Sequence, residues 1–345
     1  MATHINKAAL LVVRDGKLLV ARSFTKEKFY VPGGKPEPGE TIREALIREI
    51  REELNVSLDG DSVEEFGVFT ALADGKHGGV EVTMHCFTGE LDGEPLASQE
   101  IEELAWVGVD EREQLSAASQ LVLDDIVKKG FIPTQGAEVN RRAVIFDLDD
   151  TLFFTREAKW NHHRYVAKES FGVDLTDEVL ARYWGMPFAE MIGHYYQNSA
   201  PVEQMLAANQ QSRHLFPKTP IPGAKEKVDQ LLNAGISVGV VTSTRTDWAL
   251  RELVEHGFPV ERFTLIQGSD AVNFHKPDSR VFDRALAILK ALGKTDFTYV
   301  GDALIDEQAA VTAGMKFVAV ETGLFSDEDF HTSTPVFNTV AVADI

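Results

Sequence analysis

Residues 46–54 set three glutamates and four large apolar residues on a single period, and this segment limits what the first third of the chain can fold into. At 3.6 residues per turn Glu49, Glu52 and Glu53 share one arc, while Leu46, Ile47, Ile50 and Leu54 fall on the opposite arc. The spacing predicts a helix whose apolar side is buried by other elements. Like charges at i, i+3 and i, i+4 each cost about 0.2–0.5 kcal/mol. A solvated acidic helix face tolerates that cost, whereas a bound cation reverses it. Hard divalent ions take oxygen ligands, usually one or two carboxylates plus substrate phosphates. Just upstream, Gly33-Gly34 lets bare backbone approach the acidic arc.

The register of Gly34, Glu40, Arg48-Glu49 and Glu52-Glu53 resembles the Nudix box of pyrophosphohydrolases. The final Gly-apolar pair of that box reads Asn55-Val56 here. Asn is the next choice after Gly for a left-handed helix C-cap, so the departure is expected to keep the backbone. The resemblance implies that Glu49, Glu52 and Glu53, helped by the Gly33 carbonyl, bind magnesium, with manganese as the alternative ion. It makes Glu49 and Arg48 part of the catalytic machinery, Arg48 orienting a glutamate, and puts Glu40 behind them. A further metal-binding glutamate from a later loop is expected at Glu100, with Glu103 as runner-up. Arg22 and Lys35 are candidate phosphate contacts, and Phe29 or Tyr30 is a candidate to stack on a base.

A chain of 345 residues is long for one core and suggests two domains. Its formal net charge of −20 is mixed along the sequence and not gathered in a tail, which argues against polymeric nucleic acid or an anionic membrane as a partner. Small phosphorylated substrates stay compatible, because bound cations reverse the local field. The single cysteine, Cys86, sits among Val82, Met84 and Phe87 and reads as an ordinary strand residue. One cysteine, no apolar leader and no membrane-length apolar stretch make the cytoplasm the expected compartment.

Residues 5–22 read as a hairpin turning at Asp15-Gly16, with further strands near 63–73, 80–91 and 103–109 and a helix at about 110–129 that ends at Gly130. This predicts a strand-rich α+β domain over 1–132, followed by a linker at 133–140. From 141 onward the grammar changes. Ala143–Phe146, Ile236–Val241, Phe297–Val300 and Phe317–Val320 are short apolar runs between helical segments, the pattern of buried parallel strands. An aromatic-rich helical insert at about 155–218 follows the first run and is expected to lie over the site as a lid.

Polar groups follow three of those runs: Asp147-Leu148-Asp149-Asp150-Thr151, Thr242-Ser243, and Gly301-Asp302 with Asp306 beyond. In an open parallel sheet these strand ends converge at one rim, where ligands bind. The constellation resembles the haloacid dehalogenase (HAD) superfamily over roughly 141–345, an α/β Rossmann-like fold with an inserted α-helical cap. By that resemblance Asp147 is the nucleophile that forms an aspartyl-phosphate. Asp149 protonates the leaving oxygen and then activates water, with a pKa expected to be raised. Thr242 binds the phosphoryl group, Lys276 neutralises charge, and magnesium sits among Asp147, the backbone carbonyl of Asp149, Asp302 and Asp306. Ser243, Arg182 and Gly185 are candidate substrate contacts.

The expected function is a two-headed hydrolase: a nucleoside triphosphate to monophosphate and pyrophosphate in front, phosphomonoester dephosphorylation behind. One alternative gives the front domain ADP-ribose or a nucleotide sugar and the rear one a sugar phosphate or phosphoglycolate. Another makes the front domain a nucleotide sensor that regulates the phosphatase.

Overall fold

The computed structural model describes residues 4–73, 80–184, 186 and 188–345. The N-terminal domain runs β1 (His4–Leu10), β2 (Val13–Arg14), β3 (Lys17–Ser23), α1 (Ile42–Leu54), β4 (Ser57–Leu58), β5 (Glu64–Leu72), β6 (Glu81–Thr88), β7 (Leu91–Asp92), β8 (Ile101–Val107) and α2 (Ala117–Lys128). The expected hairpin at 5–22 is shorter than its apolar pattern suggested. Only β2 and β3 form it, turning at Asp15-Gly16, while β1 leaves to pair in parallel with β6. The run Ala8-Ala9-Leu10-Leu11 explains why. Ala8 and Leu10 pack with Leu46, Ile50 and Leu54 of α1, and Ala9 and Leu11 pack with Val122, Leu123 and Ile126 of α2. A strand buried on both faces loses the alternation that marks a one-sided hairpin.

Helix α1 starts in a capping box: the Glu44 amide donates to Thr41 Oγ1 at 3.2 Å and the Thr41 amide donates to Glu44 Oε2 at 2.8 Å. It ends at Asn55 with φ 52° and ψ 34°, the left-handed cap expected from the sequence. Leu46, Ile50 and Leu54 are fully buried, each contributing about 1.5–3 kcal/mol. That anchorage fixes the opposite, acidic arc against the Gly33-Gly34 turn.

The C-terminal domain runs β9 (Arg142–Phe146), β10 (Phe153–Phe154), α3 (Arg156–Phe171), α4 (Asp177–Tyr183), α5 (Phe188–Tyr195), α6 (Val202–Ser212), β11 (Thr219–Pro220), α7 (Ala224–Asn233), β12 (Ser237–Val241), α8 (Thr246–Glu255), β13 (Ile266–Gln267), α9 (Asp283–Ala291), β14 (Asp296–Gly301), α10 (Leu304–Thr312), β15 (Lys316–Val320) and β16 (Val336–Phe337). Its parallel sheet has the order β13-β12-β9-β14-β15-β16, so β9 is flanked by β12 and β14. The insert, α3 to α6, has its own apolar cluster around Val166, Leu180, Ile192 and Tyr196. Two strands, β10 and β11, pair antiparallel at its base and form a neck to the sheet.

The connection between the domains is not a free tether. Phe131 and Ile132 are buried in the same cluster as Leu289 and Leu292 of the second domain. Lys294 Nζ donates to the carbonyls of Gly130 and Asn140 at 2.5 and 2.6 Å, and Ser237 Oγ donates to the Lys129 carbonyl at 2.9 Å. Glu64 and Arg284 pair across the junction at 3.2 Å.

Candidate active sites

In the N-terminal domain Glu49, Glu53 and Glu100 each offer an oxygen within 4.8 Å of the others. Glu53 is buried, and its Oε2 accepts the Gly33 amide at 2.7 Å. Burial pushes the Glu53 carboxyl up to about 7, with Glu49 and Glu100 adding repulsion against the relief from the Gly33 amide and Lys7. A Cβ on Gly34 would lie 2.1 Å from the Glu49 carboxylate, so any side chain there would displace the end of Glu49. Arg48 holds Glu40 bidentately at 3.0 and 2.9 Å and reaches Glu49 at 2.9 Å, Glu52 at 3.1 Å and the Lys35 carbonyl at 3.1 Å. The guanidinium thus ties the acidic arc to the loop before it.

Beside this triad is a cavity of about 320 Å³, lined by Lys7, Lys26, Tyr30, Lys35 and Glu53 together with apolar residues including Met84. Lys7 faces it from β1, in register with Met84. Its ammonium lies 5.7 Å from the Tyr30 ring centre and forms no ion pair among the described residues. Burial lowers its pKa against the pull of Glu53.

In the C-terminal domain the parallel register brings the ends of β9, β12 and β14 side by side. Asp147, Asp302 and Asp306 offer oxygens within 4.8 Å of one another. Lys276 Nζ lies 2.9 Å from Asp147 Oδ1, 2.6 Å from Asp306 Oδ1 and 3.1 Å from the Tyr299 hydroxyl, which itself donates to the Val241 carbonyl at 2.7 Å. Burial alone would lower Lys276, but Asp147 and Asp306 outweigh it and keep the ammonium charged. Burial, with Asp306 and Asp149 adding repulsion against Lys276, pushes Asp147 up to about 7. A Cβ on Gly323 would sit 1.9 Å from Asp302 Oδ2, and one on Gly301 would sit 2.5 Å from Asp306 Oδ2. Backbone without side chains thus clears the space around both carboxylates.

A family model described as haloacid dehalogenase-like hydrolase matches residues 144–320, and a NUDIX domain model matches residues 4–125. The chain belongs to both families. PpaX of Caldanaerobacter subterraneus subsp. tengcongensis is 27% identical over 184 residues, 52% of this chain and 81% of that protein. YvcI of Bacillus subtilis, an uncharacterized Nudix hydrolase, is 30% identical over 119 residues, 34% of this chain and 74% of its own. A crystal structure of a Thermotoga maritima protein shares the HAD fold with a TM-score of 0.51 at 22% identity, covering 58% of this chain and 95% of that one. The protein is a hydrolase with a Nudix domain followed by a HAD domain, families that act on small phosphorylated substrates with divalent metals.

Each triad fits such an ion by its donor chemistry: carboxylate oxygens only, close enough to share one cation, with glycines clearing the approach. The other residues expected at the Nudix site stand around its triad. Glu52 stands beside the Nudix triad on the half-exposed flank of α1, its carboxylate 3.1 Å from Arg48. Gly33 donates its amide to Glu53 Oε2, which sets the turn against the triad that its carbonyl is expected to help complete. Arg22 pairs with Glu102 and Glu103 at 2.7 Å each, and neither Arg22 nor Glu103 lines the cavity or joins the triad. Lys35 does line the cavity.

In the HAD domain the main correction concerns Asp149. Its pKa was expected to be raised. Burial does act in that direction, but Lys159 and Lys218 overcome it and hold the carboxyl well below its usual range. Its carboxylate stands outside the Asp147 triad, as expected of a residue whose backbone carbonyl is the group assigned to the ion. Thr242 is buried at the end of β12, its Oγ1 accepting the Thr244 amide at 3.2 Å, while Ser243 is exposed. Arg182 is exposed on α4 and has no ion pair among the described residues, and Gly185 lies outside them. Lys7, Tyr299, Thr244 and Lys218 were missed. Only Lys7 left a signal, a cation directly before the apolar run Ala8-Ala9-Leu10-Leu11.

Proposed function

We propose that the Nudix domain hydrolyses a nucleoside triphosphate to its monophosphate and pyrophosphate, and that the HAD domain removes phosphate from a phosphomonoester, the resulting nucleotide among them. The observation carrying this reading is the pair of separate carboxylate triads, one beside a lysine-lined cavity and the other clamped by Lys276. Lys7, Lys26 and Lys35 around one cavity in a strongly acidic protein favour a ligand richer in negative charge than a nucleotide sugar.

Bound at Glu49, Glu53 and Glu100 and at Asp147, Asp302 and Asp306, magnesium or manganese would neutralise phosphoryl oxygens and, in the Nudix domain, acidify the attacking water. In the HAD domain Asp147 attacks phosphorus and forms the Asp147–phosphate bond as the ester bond breaks, while Asp149, ionised in the free site, takes up a proton when the substrate phosphate brings its negative charge beside it and passes that proton to the leaving oxygen. Asp149 then takes a proton from water, which attacks phosphorus, releases orthophosphate and restores Asp147. Lys276 balances the charge of Asp147 and the transferred group, and the Thr242 hydroxyl is at hand to bind that group. The inserted helices act as a cap over this rim. In the Nudix domain Arg48 keeps the acidic arc in place while water cleaves the diphosphate bridge.

The test is a panel of nucleoside triphosphates, nucleotide sugars and phosphomonoesters, assayed separately for pyrophosphate and orthophosphate. Glu53→Gln should remove diphosphate cleavage and Asp147→Asn phosphate release, each sparing the other. If Glu53→Gln left every diphosphate-cleaving activity intact, the Nudix domain would be a sensor instead.

A further inference from the structure

The carboxylate of Asp149 is held by groups that come from both sides of the neck. Lys218, directly before β11, brings Nζ to 2.6 Å from Asp149 Oδ1 and to 2.7 Å from Glu252 Oε2 on α8. Thr155, directly before α3, donates to Oδ1 at 2.7 Å, and Thr244, beyond β12, donates to Oδ2 at 2.7 Å. Lys159 on α3 stands 3.6 Å from Oδ2. The Lys218 side chain is only 7% exposed, so its ammonium is a buried charge between two carboxylates and not a surface pair.

A surface lysine contributes little to geometry, because its four-carbon stem and screened charge leave it mobile. Lys218 is different on both counts. Its backbone is fixed by the pairing of Thr219 with Phe154 and Pro220 with Phe153, and its head group is locked between Asp149 and Glu252. A buried charge with two opposite partners does not drift, since separation from either leaves an unpaired ion in a low-dielectric site. Asp149 Oδ1 therefore takes its position from the neck, which also carries the insert.

We infer that Lys218 is a positioning residue for phosphoryl transfer: braced by Glu252, it sets the Asp149 carboxylate where it exchanges a proton with the leaving oxygen and then with water. The inference rests on the phosphatase reading of the HAD domain. It also gives the neck a chemical role, because a shift of β11 relative to β10 moves Lys218 and with it Asp149.

Leaving-group chemistry supplies the test. An alkoxide needs a proton to depart, whereas p-nitrophenolate departs at neutral pH without one. Lys218→Met, Lys218→Arg and Glu252→Gln are compared with wild type on p-nitrophenyl phosphate and on the fastest of a panel of alkyl monoesters that includes nucleoside 5′-monophosphates. General acid–base catalysis contributes about 10²–10⁴-fold, and loss of positioning removes part of it. Lys218→Met should lower kcat on the alkyl ester about 10–100-fold with KM within about twofold, and on p-nitrophenyl phosphate by less than about threefold. Glu252→Gln should show the same selectivity to a smaller degree, and Lys218→Arg should recover part of the alkyl rate.

Equal losses on both esters, no loss on either, or a gain on the alkyl ester would overturn the inference. Should Lys218→Met fail to fold by thermal melting, Glu252→Gln and Lys218→Arg decide it by the same selectivity. Asp147→Asn guards the underlying reading. If that variant still turned over both esters, the phosphatase assignment would fail independently of Lys218.

Discussion

Lys276 offers the sharpest stability test of the HAD site. Its ammonium, 4% exposed, is in contact with both Asp147 and Asp306, and the oxygens of Asp147, Asp302 and Asp306 lie within 4.8 Å of one another. At an effective dielectric of about 20, two unit charges at that 4.8 Å separation repel by about 3.5 kcal/mol. Lys276→Met removes the cation that offsets this, and stranding a buried partner typically costs about 3–5 kcal/mol. For a domain of this size each kcal/mol moves the melting temperature by about 2–4 °C, so the deficit should be about 6–20 °C in excess chelator. Scanning calorimetry with and without magnesium measures it. The gap should narrow in magnesium, because a divalent cation at the same carboxylates replaces the missing charge, while phosphatase activity stays absent. Identical melting of variant and wild type in chelator would show that these carboxylates are already neutral or far apart, and the reasoning would fail.

His163 gives a pH test of the insert. Burial, with His162 and Lys159 adding to it, pushes the imidazole down to about 3 from an ordinary value near 6.5, while its Nδ1 lies 3.0 Å from the Tyr196 hydroxyl. The unfolded chain then binds a proton that the folded insert refuses, so stability is full above pH 6.5 and declines as pH falls toward 3. At pH 5 the loss is about 2 kcal/mol, and denaturant unfolding of wild type against His163→Gln at pH 7.5 and 5 should show it as a larger drop for wild type. Lys7→Met should raise KM for the preferred triphosphate about tenfold or more with kcat nearly unchanged, as expected for a lost charged contact. An unchanged KM in steady-state assays would remove Lys7 from the site. Gly323→Ala should raise the magnesium needed for half-maximal phosphatase activity about 10–100-fold by displacing Asp302. A magnesium titration matching wild type would refute that.

Much of the architecture was readable because it rests on periodicity. The acidic and apolar arcs of α1, its Asn55 cap and the strands at β9, β12, β14 and β15 follow from local pattern. The two-residue strands β13 and β16 were too short to leave one. The pairing of β1 with β6 depends on a partner about 75 residues away, and no local pattern encodes that choice. Motif spacing named Asp147, Asp302, Asp306, Glu49 and Glu53, and the family resemblance named Glu100; the fold gathers these six into two groups of three carboxylates. The state of Asp149 was illegible for a different reason. It is set by Lys218, Lys159 and Thr244, which come from three separate elements and converge only after the sheet and neck have formed. Helical period put Glu49, Glu52 and Glu53 on one arc but could not tell that Arg48 pairs with both Glu49 and Glu52.

The junction between the domains is continuous with both cores, yet the two carboxylate triads are built from separate elements and share no residue. Among the described residues no helix is long and apolar enough to cross a membrane. The central claim is that two independent cation-binding carboxylate sites perform two different hydrolyses. Its most direct test is parallel quantification of pyrophosphate and orthophosphate from one nucleoside triphosphate, for wild type, Glu53→Gln and Asp147→Asn, with and without chelator. The account predicts that wild type yields both products, that Asp147→Asn yields pyrophosphate alone, that Glu53→Gln yields neither from the triphosphate while still dephosphorylating added monophosphate, and that chelator silences all three. Simultaneous loss of both products in Asp147→Asn, or undiminished turnover in chelator, would contradict it.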